Sequence, residues 1–122
     1  MQRIEKVAVV APDDKLRSVV IKMTENPQGA ALVLDDEGSL LGIVTEGDLR
    51  RSLADNIDID NSKAKEVMSQ KPITIKVGSL LSEVLSVMED RESQISVLPV
   101  VSDELKCVGL IRIHDIYQTQ LL

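Results

Sequence analysis

Two stretches of this chain set a carboxylate six residues after a glycine with basic side chains close by: Gly42-Ile43-Val44-Thr45-Glu46-Gly47-Asp48, followed by Arg50 and Arg51, and Gly109-Leu110-Ile111-Arg112-Ile113-His114-Asp115. An ionised Asp only accepts hydrogen bonds, so with both oxygens it can grip a diol. A Thr that ends a strand and opens a helix leaves backbone N–H groups free, and such a helix start favours phosphate or another anion. Arg50, Arg51 and Arg112 would bring positive charge to that place. The same Thr45-x-x-Asp48 spacing also fits a capping box, in which the two residues only satisfy each other's backbone. Arg50 and Arg51 read equally well as a solvated helix face. His114 has no nucleophile beside it in sequence and reads as structural or as a hydrogen-bonder at a pocket edge.

Other chemistries find few residues to work with. One cysteine and one histidine give neither an internal disulfide nor a zinc site. They also cannot assemble a Ser-His-Asp set or a Cys-His pair, so the chain reads as a non-enzyme with no required cofactor and no metal. Cys107, within an apolar run, reads as a small buried hydrophobe. The net charge of −6 argues against duplex nucleic acid, where phosphate contacts by Lys and Arg dominate. Tyr117 is the sole aromatic residue, so the stacking platforms of single-strand binders are missing and a bound base would sit between aliphatic side chains. No apolar run reaches transmembrane length, and Met1 to Lys6 lacks the apolar stretch of a signal peptide. The expectation is a cytoplasmic protein with no nucleic-acid or membrane partner.

The positioning elements occur twice. Lys6 to Val10 aligns with Lys71 to Ile75 at an offset of 65, carrying Val19 onto Val84 and Met23 onto Met88. The register then slips by two. At an offset of 67, Val33 meets Val100, Asp36-Glu37 meets Asp103-Glu104, Gly42 meets Gly109 and Asp48 meets Asp115. Each copy opens on a short strand (Val7 to Val10, Ile73 to Val77) and continues into an amphipathic helix. Leu16, Val19, Val20 and Met23, like Leu81, Val84, Leu85 and Met88, follow helical spacing. Asp13 and Ser79 are the expected helix starters. Two strands joined by an acidic turn follow: Ala30 to Leu34 and Leu40 to Thr45, then Ile95 to Val101 and Cys107 to Arg112. A final helix closes each copy, Gly47 to Leu53 and His114 to Leu121. Asn56 to Ser62 reads as the connector and Ala64 to Ser69 as a helical turn. The predicted fold is α+β: two tandem βαββα units, residues 1–58 and 59–122, packed sheet to sheet about a pseudo-twofold axis.

These features resemble the CBS-domain family, whose roughly sixty-residue βαββα units occur in pairs and carry a Gly-hydrophobic-x-Thr/Ser-x-x-Asp stretch. Gly42 to Asp48 matches that stretch in full. Gly109 to Asp115 has Arg112 in the Thr position. Leu98-Pro99-Val100-Val101, Glu66-Val67-Met68 and Lys71-Pro72-Ile73-Thr74 are further points of likeness. The resemblance implies a cleft between the halves for AMP, ATP, S-adenosylmethionine or a CMP-sugar. It implies ribose contacts at Asp48 and Asp115, a hydroxyl contact at Thr45, and base-pocket walls at Ala30, Ala31, Ile73 and Leu98, with Arg112 and His114 at the second site. Thr45 to Arg51 and His114 to Tyr117 are similar, more narrowly, to the regulatory CBS pair of arabinose 5-phosphate isomerases. Pairs attached to sugar nucleotidyltransferases carry comparable stretches. The implied role is control of a catalytic domain outside this chain, within a homodimer. A structural dimerisation module with degenerate ligand sites is the alternative.

Overall fold

The computed structural model describes residues 1–90 and 95–120, with side chains through Tyr117; the expected helix end at Leu121 lies outside the described residues. The elements run β1 (Gln2–Arg3), a 3-10 turn (Ile4–Lys6), β2 (Ala8–Val10), α1 (Leu16–Glu25), β3 (Ala30–Leu34), β4 (Leu40–Thr45) and α2 (Glu46–Ala54). After the connector come α3 (Ala64–Val67), β5 (Ser69–Gln70), β6 (Ile75–Lys76), α4 (Leu81–Glu89), β7 (Val97–Val101), β8 (Cys107–Arg112) and α5 (Ile113–Gln120). The βαββα order therefore recurs, with β3, β4 and β8 at the expected bounds. The opening strands are shorter than expected, and Ser69 belongs to a strand rather than to the helical turn before it.

Two four-stranded sheets result, ordered β2-β3-β4-β5 and β1-β8-β7-β6. Each sheet takes its outermost strand beside β4 or β8 from the other copy. Gly42 of β4 pairs with Gln70 of β5, and Gly109 of β8 pairs with Arg3 of β1. The two glycines occupy equivalent places, opposite Val33 and Val100, each one step from a bulge in its ladder. Neither position has room for a side chain. A Cβ on Gly42 would stand 2.8 Å from the Ser69 carbonyl oxygen, and one on Gly109 would collide with that of Gln2.

Burial follows the alternation of side chains along the strands. On β3, Ala31 and Val33 face a cluster with Leu16, Val19 and Met23 of α1, while Ala30 and Leu32 face a central cluster. That central cluster joins Val7 and Ile43 of the first half to Cys107 and Leu110 of the second, and so is the seam between the sheets. Cys107 is buried within it, and burial pushes its thiol above the ordinary range. A third cluster holds Val84, Met88, Leu98 and Ile116.

Helix entry differs from expectation. α1 and α4 begin after Lys15 and Leu80, not at Asp13 and Ser79. Asp13 instead pairs with Lys65 at 3.0 Å and Lys63 at 3.5 Å, while the Ser79 hydroxyl donates to the Lys76 carbonyl at 2.8 Å. The Leu80 N–H is met by the Glu83 carboxylate at 3.3 Å.

The hairpin turns are near copies with one costly difference. Gly38 and Leu105 each donate a backbone N–H to the carbonyl three residues back, and both are left-handed, at φ 84° and 63°. Glycine adopts that conformation freely, whereas a leucine Cβ crowds the following carbonyl by about 1–2 kcal/mol. Leu105 is 62% exposed and gains little from packing in return. Leu105→Gly is expected to stabilise the chain by about 0.5–1 kcal/mol after the added unfolded-state entropy, raising the melting temperature. Gly109→Ala, which forces the exchanged strand outward, is expected to lose about 1–3 kcal/mol in a urea titration.

Candidate functional site

The strand ends next to the seam open onto a cleft of about 810 Å³ bounded by both halves. One wall is the β4–α2 junction, with Thr45, Glu46, Gly47 and Asp48, followed by Arg50 and Arg51. The strap between β5 and β6 forms the second wall through Ser69 to Ile73. The third is the start of β7 and the two residues before it, contributing Ile95, Ser96, Val97 and Pro99.

At the first wall the residues form a reciprocal capping box. The Thr45 hydroxyl oxygen accepts the Asp48 N–H at 3.2 Å, and Asp48 Oδ2 accepts the Thr45 N–H at 2.9 Å. Asp48 Oδ1 takes a bond from Arg51 Nη2 at 2.7 Å, although the arginine side chain is 72% exposed. Capping is therefore real, and it holds a carboxylate at the cleft wall. Gly47 lets the arginine side chains lie close over the helix start. Its missing Cβ would lie 3.3 Å from Arg51 Nη1 and 3.7 Å from Arg50 Nη2. With Lys71, three cationic side chains reach a cleft holding the carboxylates of Glu46 and Asp48, in a chain whose net charge is −6. Ile43, Pro72, Ile73, Ile95, Val97 and Pro99 supply an apolar lining without aromatic rings.

The residues expected from sequence separate into three groups. Thr45, Asp48 and Ile73 line the cleft. Arg112 and His114 line a smaller cavity of about 280 Å³, shared with Gln28, Glu46 and Ser96. Ala30, Ala31 and Leu98 are fully buried and line neither cavity. Both faces of their strands are covered, one by helices and one by the opposite half. The neighbouring Gly29, Val97 and Pro99 reach the cavity walls instead.

Asp115 lines neither cavity. Arg112 Nε donates to its Oδ2 at 3.0 Å and Nη2 to its Oδ1 at 2.8 Å, a two-pronged pair with both side chains about a quarter exposed. The guanidinium holds the Asp115 carboxyl below the usual carboxylate range, and the carboxylate in turn raises Arg112.

Sequence reasoning passed over the strap's Ser69, Gln70 and Lys71, and over Ile95 and Ser96. Lys71 has a left-handed backbone, φ 48°, in a non-glycine residue at the cleft wall. The proline after Lys71 favours an extended backbone at that residue, so its left-handed conformation was not legible in the sequence. Among the described residues, no group of three or more His, Cys, Asp or Glu could hold a metal, and no helix is long and apolar enough to cross a membrane.

The fold recurs in solved structures. A CBS domain-containing protein of unknown function from Bacillus anthracis superposes with a TM-score of 0.84, at 18% identity over 99% of this chain and 88% of its own. CBSX2, known from Arabidopsis thaliana and solved in complex with AMP, gives 0.81 at 19% identity, over 99% and 92%. The cytosolic domain of the Mg2+ channel MgtE in complex with ATP gives 0.78 at 21% identity, over 97% and 46%. Among curated proteins, the arabinose 5-phosphate isomerase KdsD of Pseudomonas aeruginosa is 35% identical over 107 residues, 88% of this chain and 32% of its own length. KpsF of Escherichia coli, with the same name for its activity, is 32% identical over 89% of this chain and 33% of its own. The chain thus spans about a third of the length of these relatives. The family model for the CBS domain matches residues 1–55 and again 64–121. The chain therefore belongs to the CBS-domain family, and its two copies form a CBS pair.

Proposed function

We propose that this CBS pair is a regulatory module that binds a phosphate-bearing nucleotide in the cleft beside Asp48. The supporting observation is the pairing of an aliphatic lining with Arg50 and Arg51 by the α2 start and Lys71 on the strap. A base would lie among Ile73, Ile95, Val97 and Pro99. The ribose would meet Asp48 and Thr45, and the phosphates would meet the α2 N-terminus with Arg50, Arg51 and Lys71. That charge favours AMP, ATP or a CMP-sugar over S-adenosylmethionine, whose sulfonium is itself a cation. Structural neighbours solved with AMP and ATP support the ligand class.

The module, cytoplasmic and divided near residue 58, would act by binding its ligand more tightly in one arrangement of the halves than in another. The likeness to KdsD and KpsF supports a sugar-phosphate isomerase domain as what it controls. A scaffold reading has one observation in its favour, namely that Asp48 already caps α2 and pairs with Arg51. The two readings separate in a melting assay. A nucleotide at about 100 times its dissociation constant is expected to stabilise the chain by about 2.7 kcal/mol. Asp48→Ala is expected to weaken binding about tenfold to a hundredfold, beyond a capping loss of about 0.5–2 kcal/mol in stability. No melting shift with AMP, ATP or a CMP-sugar would decide for the scaffold.

We also propose a homodimer, the default closed assembly of a small soluble chain. Ile21 on α1 is 51% exposed, and Val77, Leu80 and Leu81 cluster in sequence at the α4 entrance, at 57%, 66% and 45%. Leu16, the counterpart of Leu81, is fully buried, and the connector's Ile57 and Ile59 pack on its cluster. A second copy would cover the α4 entrance as the connector covers α1. Light scattering is expected to give twice the 13.4 kDa chain mass, and Leu81→Glu to shift it toward the monomer. A monomer at high micromolar concentration would refute this assembly.

A further inference from the structure

We infer that each chain holds one nucleotide site, not two, because Arg112 takes up the Asp115 carboxylate in the pseudo-symmetric counterpart of the Asp48 cleft, where a cavity of only about 280 Å³ remains. This inference rests on the nucleotide reading of that cleft and adds a stoichiometry and a cause to it. Position for position, Arg112 stands where Thr45 stands and Asp115 where Asp48 stands. At the open cleft, Thr45 uses only its short hydroxyl and main chain on Asp48, and Arg51 approaches from an exposed helix face. Asp48 is 13% exposed with both oxygens bonded, so a diol reaches Oδ1 when Arg51, 72% exposed, swings into solvent.

At the counterpart, the two-pronged Arg112 guanidinium occupies both Asp115 oxygens from the strand side and is only 27% exposed. The Gln2 side chain, carried in on β1, bonds the same carboxylate. A ribose would have to displace a two-pronged charge-assisted pair held by a mostly buried guanidinium, against a single-pronged pair with an exposed one at Asp48.

The straps reinforce the asymmetry. Strand pairing makes Arg3 equivalent to Gln70 and Val10 equivalent to Ile75, so the strap in copy one is two residues longer than that in copy two. The extra length winds into the 3-10 turn Ile4–Lys6, which packs against β8, and Ile4 joins the seam cluster. The shorter strap has no such turn and lines the large cleft through Lys71, Pro72 and Ile73.

Isothermal titration of the chain with AMP and with ATP tests the inference. The expected result is one equivalent per chain, weakened about tenfold or more by Asp48→Asn and unchanged within about twofold by Asp115→Asn. Arg112→Thr is expected to add a second, weaker equivalent. Two equivalents in the wild type would overturn single occupancy while leaving the nucleotide reading intact. A loss with Asp115→Asn as large as that with Asp48→Asn would overturn the closure, as would a single equivalent in a folded Arg112→Thr chain. The Asp115→Asn arm stays decisive if Arg112→Thr fails to fold. Absence of binding in the wild type with one equivalent gained in Arg112→Thr would refute the open-cleft reading and leave the closure standing. Absence in both would refute the two together.

Discussion

The architecture depends on two places where backbone meets backbone without a side chain between. Each half-sheet is completed by a two-residue strand from the other copy, and that strand lies against a glycine on β4 or β8. Such short strands contribute few ladder hydrogen bonds and little burial of their own. Their value is geometric: they tie each copy to the other's sheet, so neither half closes its edge alone. The methionines before them, Met68 and Met1, lie over the same glycines, so a Cβ would push out a side chain as well as a carbonyl. The seam cluster of Val7, Ala30, Leu32, Ile43, Cys107 and Leu110 lies between the two sheets tied in this way.

That packing decides where binding can occur. With helices on one face of each sheet and the opposite half on the other, mid-strand residues have no open side. Space remains only where strands end, and there the helix starts and the straps meet. Thr45 and Asp48 are well placed because they end β4 and begin α2. Asp48 both caps the helix and borders the cleft, and one requirement does not compete with the other, since a carboxylate has more acceptor sites than the cap consumes.

Much of this was legible in the chain. The i, i+3, i+4 spacing identified Val19, Met23, Val84 and Met88 as core, and the glycine-to-aspartate interval located equivalent strand ends. What could not be read was orientation about the strand. Ala30, Ala31 and Leu98 lie within or beside the right strand ends, yet whether a residue faces a core or a cavity depends on what covers each face, which is a tertiary fact. The helix starts misled for a similar reason. Asp13 and Ser79 have capping chemistry, but Asp13 is held by the lysines at the α3 entrance, and that contact spans some fifty residues. Leu81 fits the apolar stripe as well as Leu16 does, and the difference between them lies in the connector that covers only one.

The repeat also explains why its copies can differ so much at their ends. The seam needs matching strands, and a shift of one residue would turn core side chains outward, so β3, β4, β7 and β8 keep the same register opposite Gly42 and Gly109. The straps have no such constraint. Two residues more in one of them cost only a turn of 3-10 helix on β8, with no effect on the ladders. Likewise, a Thr and an Arg both satisfy the strand position before a helix, but the Arg pairs through two nitrogens with the carboxylate three residues on, while the carboxylate after the Thr borders the cleft. The parts that fix the fold are therefore symmetric, while chemistry differs where packing is indifferent. In the proposed single-site pair, a ligand at Asp48 would pull on only one of the two straps, and a one-sided pull would bias the relation of the halves.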